Sequence, residues 1–153
     1  MQPLNLPTYL FNTKSENGKT YIFDSIRRKF IQLTPEEWVR QNFIQYLNKE
    51  KQMPSALISL EKRFRLHKLH KRTDILIHDR KGDVRAIVEC KAPKIELTSA
   101  VFDQILRYNL VYKVPYIIIT NGLNHYCCKL NHETEQYCFL KNIPDFEELI
   151  SCQ

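Results

Sequence analysis

Residues 72–91, RTDILIHDRKGDVRAIVECK, decide the fold that this sequence predicts. Two apolar, β-prone runs flank the tract DRKGD at 79–83, whose residue types favour a turn. The second run contains the near-continuous apolar stretch AIV, which is typical of a strand buried on both faces. The sequence therefore predicts an antiparallel pair of strands, at 72–78 and 84–90, inside a sheet.

The register of this pair places its charged residues. If Asp79 pairs with Val84 across a four-residue turn, paired positions sum to 163 and Asp74 lies directly opposite Glu89. Two carboxylates that face each other destabilise a sheet unless one is protonated or a cation lies between them. A divalent metal ion would relieve this conflict, and a shift of one residue in the register would remove it.

The alternation of a strand also places Lys91 on the face of Glu89, and Cys90 on the opposite face. Asp74, Glu89 and Lys91 should therefore converge on one patch. Carboxylate oxygens suit Mg²⁺, with Mn²⁺ as a substitute. Such an ion polarises a phosphate and activates water, while Lys91 could orient that water or stabilise developing charge. On spacing alone, a salt-bridged trio without a metal ion explains these three residues equally well.

The remaining pattern predicts one α/β (α+β) domain over residues 1–153, with a mixed central sheet flanked by helices. A strand at 58–69 joins the pair above in an antiparallel meander, and a helix from Thr98 to about Lys113 leads to the buried strand PYIIIT at 115–120. Such a helix is the crossover that parallel pairing requires. The other expected elements are a hairpin at 20–33, a helix capped by Thr34 that runs to about 48, strands near 125–130 and 136–140, and a helix from 144.

Composition indicates a basic, folded chain without a membrane segment. The net charge is +6, and six cations crowd into positions 62–72, which favours a polyanionic partner, although a solvated basic face explains the cluster equally well. No apolar run approaches the roughly 18 residues that span a bilayer, and the start lacks a secretory pattern, so a cytoplasmic location is expected. The five cysteines show no zinc-site spacing and are expected to be reduced thiols.

Several blocks together resemble a known family. They occur in the order IRRKFIQLTPEEWVRQ, KRTDILI, VECKAP, FDQILRYN and ITNG, and they cover about residues 20 to 130. In this order they resemble the N-terminal nuclease domain of type I restriction enzyme R subunits, and Asp74 with Glu89-Cys90-Lys91 is similar to the PD-(D/E)XK nuclease motif. Thr73 stands where that motif often has proline.

The resemblance implies a restriction-endonuclease-like fold, with its nuclease core at about 34–131, and a Mg²⁺-dependent phosphodiesterase. It also implies metal ligands at Asp74 and Glu89, a catalytic lysine at Lys91, and a Q-x-x-x-Y element at Gln104 and Tyr108. These last two residues are four apart on the expected helix and share a face, so both could reach the site.

A third metal-binding carboxylate is left open among three candidates. Glu36 lies on the first helix, Glu37 is better explained by capping of that helix, and Glu61 lies on a basic strand where it could pair with a neighbouring cation.

The leading hypothesis is a DNA endonuclease without an ATPase motor, because no G-x-x-x-x-G-K-[ST] loop occurs in the sequence. The alternative is a module that keeps the nuclease fold to bind nucleic acid or a subunit but cleaves nothing. A structural protein with a merely solvated basic face is a third interpretation. The expected partners are DNA and either a motor or specificity subunit or a second copy of the chain.

Overall fold

The computed structural model describes residues 1–60, 63–66, 69–72, 75–110 and 112–151, with only the backbone of 63–66 and 69–72. In chain order, the first elements are β1 (Thr13–Glu16), β2 (Lys19–Asp24), β3 (Lys29–Gln32), α1 (Pro35–Lys49), β4 (Ile58–Leu60), β5 (Arg63–Leu66), β6 (Leu69–Arg72) and β7 (Ile75–His78). They are followed by β8 (Val84–Cys90), α2 (Ser99–Leu110), β9 (Tyr116–Thr120), β10 (His125–Asn131), β11 (Gln136–Leu140) and α3 (Phe146–Ser151).

The central sheet has the strand order β11-β10-β9-β8-β7-β4. Strands β8 and β9 pair in parallel, joined by α2 as the crossover, and the other neighbours are antiparallel. The mixed α+β architecture predicted from the sequence is therefore confirmed.

The two faces of this sheet are covered by different helices. One face packs against α1 and α3 through a core that includes Phe43, Val88, Cys90 and Ile118. The other packs against α2 through a smaller core whose buried residues are Leu76, Ile87, Ile105, Val114, Ile117 and Ile119. Because side chains alternate along a strand, each residue of β8 belongs to one of these two layers.

The hairpin of β7 and β8 has the predicted register over its described pairs. Ile75 pairs with Val88 and Ile77 with Ala86, so that paired positions sum to 163. The predicted turn pair was wrong, because Val84 pairs with His78 rather than with Asp79. A β-bulge between Ile77 and His78 shifts the pairing by one residue at the turn. The register of the inner strand residues is therefore as predicted.

The strand expected at 58–69 is wrong at its far end. Leu66 pairs with Leu69 and Arg63 with Arg72, so the chain reverses between β5 and β6 instead of continuing straight. Meanwhile β4 pairs antiparallel with β7, as the predicted meander requires. Residues 63–66 and 69–72 thus form a separate two-stranded ribbon, rather than the middle of one long strand.

The N-terminal part of the chain adds a separate three-stranded sheet. The expected hairpin at 20–33 is present as β2 and β3, paired from Tyr21 with Gln32 to Asp24 with Lys29. Strand β1, which the sequence pattern did not reveal, pairs with the outer edge of β2. Thr34 caps α1 as predicted, with its Oγ1 accepting from the backbone N of Glu37 at 3.1 Å.

The segment before β1 lies against the turn that joins β9 to β10. The backbone N of Asn5 donates to the Gly122 carbonyl at 2.8 Å, and its Nδ2 donates to the Leu123 carbonyl at 3.3 Å. His125 Nε2 lies 2.8 Å from the Asn5 carbonyl, and Nδ1 lies 2.7 Å from Thr120 Oγ1. Because a carbonyl only accepts, Nε2 carries the proton and Nδ1 accepts from the Thr120 hydroxyl.

The folded chain is expected to become less stable as the pH decreases, because of His125. Burial against the rings of Phe43 and Tyr46 lowers the pKa of His125 below its usual 6.5, although its bond to the Asn5 carbonyl acts in the opposite direction. The unfolded chain therefore takes up this proton at a higher pH than the folded chain does. The stabilisation is complete above pH 6.5 and decreases as the pH falls toward the lower folded pKa, by up to about 1.4 kcal/mol per pH unit.

Thermal unfolding between pH 7.5 and 5.5 measures this effect, with His125→Gln as the test variant and the exposed His132→Gln as the control. The wild type and the His132 variant should lose more stability on acidification than the His125 variant. Equal losses in all three proteins would contradict this assignment.

Within the ranges given above, no helix is long and apolar enough to cross a membrane.

Candidate active site

The candidate site lies where β8 and β9 end. Glu89 is the penultimate residue of β8, is 7% exposed, and pairs with Ile119 on β9. Ile119 belongs to the core on the α2 side of the sheet, whereas Cys90 belongs to the core on the α1 side. Glu89 therefore faces α2, at the carboxyl end of two adjacent parallel strands, which is where open α/β sheets commonly bind ligands.

Lys91 directly follows β8 and continues its pairing with β9. Its backbone N donates to the Thr120 carbonyl at 2.9 Å, so the chain stays extended for one residue beyond the strand. Alternation then puts Lys91 on the same side of the sheet as Glu89. Lys91 is half-buried, so this face carries a cation two residues after a buried carboxylate.

The other two predicted site residues lie on α2, which covers this face. Gln104 is exposed and Tyr108 is 43% exposed, one helical turn apart. The other side of the helix packs on the sheet through the buried Ile105. Asn109 on that side is fully buried, and its Nδ2 donates to the Ile105 carbonyl within the helix at 2.7 Å. Gln104 and Tyr108 thus face solvent rather than the core.

Asp74, the second predicted metal ligand, lies outside the described residues, as does Glu61. Within the described part of the chain, no group of three or more His, Cys, Asp or Glu side chains could hold a metal ion. The only part of the predicted carboxylate pair that the structure describes is therefore Glu89.

The acidic residues at the start of α1 are engaged by arginines. Glu37 accepts from Arg27 Nη2 at 3.0 Å and from Gln41 Nε2 at 2.8 Å, and it also forms an ion pair with Arg40. Arg40 in turn bonds Glu36 at 3.0 Å. This network ties α1 to the β2–β3 hairpin and accounts for both carboxylates as structural groups.

Asn121 is a residue of the site region that sequence reasoning did not single out. Its side chain is 3% exposed; Nδ2 donates to the Ile95 carbonyl at 2.9 Å, and Oδ1 accepts from the backbone N of Leu123 and of Asn124. It therefore fixes the loop that leads from Lys91 to α2. The signal was the asparagine of ITNG, immediately after a buried strand, because asparagine commonly organises such turns.

The fold is similar to that of a solved type I restriction enzyme fragment. A fragment structure assigned to an HsdR subunit from Vibrio vulnificus YJ016 aligns with 78% of this chain at a TM-score of 0.56 and 20% sequence identity. The chain spans about a quarter, 25%, of the length of that structure's chain. The fold is thus that of an α+β domain of the kind found in that fragment.

Residues 35–144 match the family model described as the type I restriction enzyme R protein N terminus (HSDR_N). The chain belongs to this family. No curated protein matches it in sequence.

Proposed function

We propose that this chain is a Mg²⁺-dependent DNA endonuclease domain of the PD-(D/E)XK type, with Mn²⁺ as a substitute ion. The observation that carries the proposal is Glu89, a carboxylate only 7% exposed at the carboxyl end of β8, two residues before Lys91. The carboxyl ends of adjacent parallel strands commonly form ligand sites, and Lys91 lies on the same face as this carboxylate. Membership of the R-subunit family supports this interpretation.

The metal ligands in this proposal are Glu89 and Asp74. Carboxylate oxygens are the ligands that Mg²⁺ prefers, so the donor chemistry fits this ion. The described pairs of β7 with β8, such as Ile75 with Val88, keep the register from which Asp74 is expected to face Glu89. When bound, the ion would polarise the scissile phosphate and lower the pKa of a bound water.

The protein side chains would then position the DNA and stabilise charge on its phosphate. The ammonium of the half-buried Lys91 would stabilise the negative charge that develops on the phosphate. Gln104 and Tyr108 project from the solvent side of α2, and their amide and hydroxyl groups can donate hydrogen bonds to the DNA backbone.

The β5–β6 ribbon is the proposed DNA-binding arm. Arg63 is paired with Arg72 and Arg65 with His70, and directly opposed residues share a face of a ribbon. The backbone register therefore groups three arginine positions on one face. A two-stranded ribbon has the dimensions to enter the major groove, where such cations would neutralise phosphates.

The partners are also proposals. Because the chain belongs to the type I R-subunit family, we propose that a motor or specificity subunit, or a second copy of the chain, brings the site to its target. Since each chain offers one site, cutting both strands would need two chains or two successive visits.

The test is incubation of the purified chain with supercoiled, linear and single-stranded DNA in Mg²⁺, Mn²⁺ or EDTA, beside Asp74→Ala. Metal-dependent cleavage that the variant lacks is the expected result. DNA binding without cleavage would instead favour the non-cleaving module. Absence of binding even at low salt would favour a structural protein and contradict both functions.

A further inference from the structure

Three aromatic rings cluster on the α2 side of the sheet, beyond the candidate site. Phe102 in α2 contacts Tyr126 on β10 and Phe139 on β11, with ring centroids 4.9 Å and 5.5 Å away. Tyr126 and Phe139 are themselves 6.3 Å apart, and all three pairs meet edge to face. We call these residues the aromatic cluster.

The aromatic cluster shares a face with Glu89. Glu89 pairs with Ile119, and Ile119 pairs with Tyr126, so the carboxylate and the tyrosine stand in one row across three strands. At the usual strand spacing their backbones are about 10 Å apart. Phe139 pairs with Cys128, two residues beyond Tyr126, and therefore lies on the same face.

Two of the three rings are exposed, whereas Phe102 is half-buried against the core. Phe139 is 58% exposed and Tyr126 is 37% exposed. Tyr137, two residues earlier on the same face of β11, is half-buried, and its hydroxyl donates to the Val114 carbonyl at 2.8 Å. The sheet thus uses Tyr137 in its core but leaves Phe139 uncovered on the edge strand. Grouped exposed apolar side chains mark binding surfaces.

The charged side chains near the aromatic cluster are of both signs. Lys141 is exposed two residues beyond Phe139, and Lys94 is exposed on the loop between Lys91 and α2. Exposed acids, Glu96 and Asp103, lie on the same loop and helix, so the local field is mixed. Stacking on the rings, rather than phosphate contacts alone, would therefore carry the affinity.

We propose that the aromatic cluster binds the bases of a single-stranded DNA segment next to Glu89, by stacking on Phe139 and Tyr126. In duplex DNA the base faces are covered by neighbouring bases, so rings can stack only on unpaired bases. This deepens the proposed nuclease function and rests on it: it names single-stranded or locally opened DNA as the preferred ligand of the site.

The test measures DNA binding in EDTA, so that no cleavage occurs. The probes are a fluorescent oligothymidylate, an abasic oligomer of equal length that keeps the phosphates, and a duplex. Phe139→Leu keeps an apolar side chain but removes the ring. The control is Phe23→Leu, since Phe23 is 37% exposed and pairs edge to face with Phe30 in the N-terminal sheet.

Phe139→Leu should weaken binding of the oligothymidylate about five- to tenfold and leave that of the abasic oligomer unchanged. Phe23→Leu should change neither affinity. Tyr126→Leu provides a second variant, and thermal unfolding checks that each protein is folded.

Unchanged oligothymidylate binding by Phe139→Leu, or equal wild-type affinity for the two oligomers, would overturn the stacking proposal. So would a dimer that Phe139→Leu dissociates without any effect on DNA, because the cluster would then be a contact between copies. Cleavage by a wild type that shows no ring-dependent binding would leave the nuclease proposal standing. If DNA binds through the rings but is not cleaved, only the proposed DNA hydrolysis is refuted.

Discussion

Lys91→Ala is expected to lower the rate of Mg²⁺-dependent DNA cleavage about a hundred- to a thousandfold, which is the usual effect of removing one group that stabilises transition-state charge. Lys91 is half-buried directly after β8, on the same face as the buried Glu89, so its ammonium would lie near a phosphate bound at that carboxylate. Single-turnover cleavage of a saturating DNA substrate measures the chemical step without the contribution of binding.

The matched control is Lys81→Ala. Lys81 is exposed in the turn between β7 and β8, at the opposite end of β8 from Lys91, and its removal costs the chain the same charge. A nonspecific loss of DNA attraction would affect both variants equally. Cleavage by Lys91→Ala at the rate of Lys81→Ala would exclude Lys91 from the chemistry.

The predicted register of the inner strand residues was right, and the apolar pattern of the two strands explains why. Ile75, Ile77 and Val88 are apolar residues that must face the α1 side, and a slip of one residue would turn them toward α2. The turn was a weaker guide to the register. Asp79 was expected to pair with Val84, but the β-bulge places His78 opposite Val84. A bulge depends on local backbone geometry and leaves little trace in composition.

The reversal between β5 and β6 was missed for a different reason. The sequence between Leu66 and Leu69 contains no glycine, proline, asparagine or aspartate, so the usual turn signals are absent. Pairing of β4 with β7 and of β5 with β6 decides this topology. Strands β5 and β6 are close in sequence, but β4 and β7 are not, and pairing between segments separated in the chain cannot be inferred from local propensity.

The site residues also differ in whether the sequence alone could place them. Glu89 and Lys91 could be placed from the alternation of one strand, because a local rule fixes their faces. The aromatic cluster could not, since it requires the registers of β9, β10 and β11 together with the position of α2. His125 likewise owes its environment to Asn5, 120 positions away in the chain.

Glu89→Gln is expected to abolish stabilisation of the fold by Mg²⁺. A ligand that binds only the folded chain stabilises it by about 2.7 kcal/mol at a hundred times its dissociation constant. For a domain of this size that corresponds to a rise in Tm of roughly 5 to 10 °C. Glutamine keeps the shape of the buried side chain but removes the charge that would hold the ion.

Each protein is compared with itself, in EDTA and in Mg²⁺, so that any change in intrinsic stability cancels. The control is Glu147→Gln, because Glu147 is an exposed carboxylate on α3 that pairs with Arg80 at 2.6 Å. The wild type and the control should both gain the Mg²⁺-dependent rise in Tm, and Glu89→Gln should lack it. Since the measurement requires no DNA, it tests the metal site separately from cleavage: an equal rise in all three proteins would locate the ion elsewhere, whereas no rise in the wild type would contradict a metal site in the isolated chain.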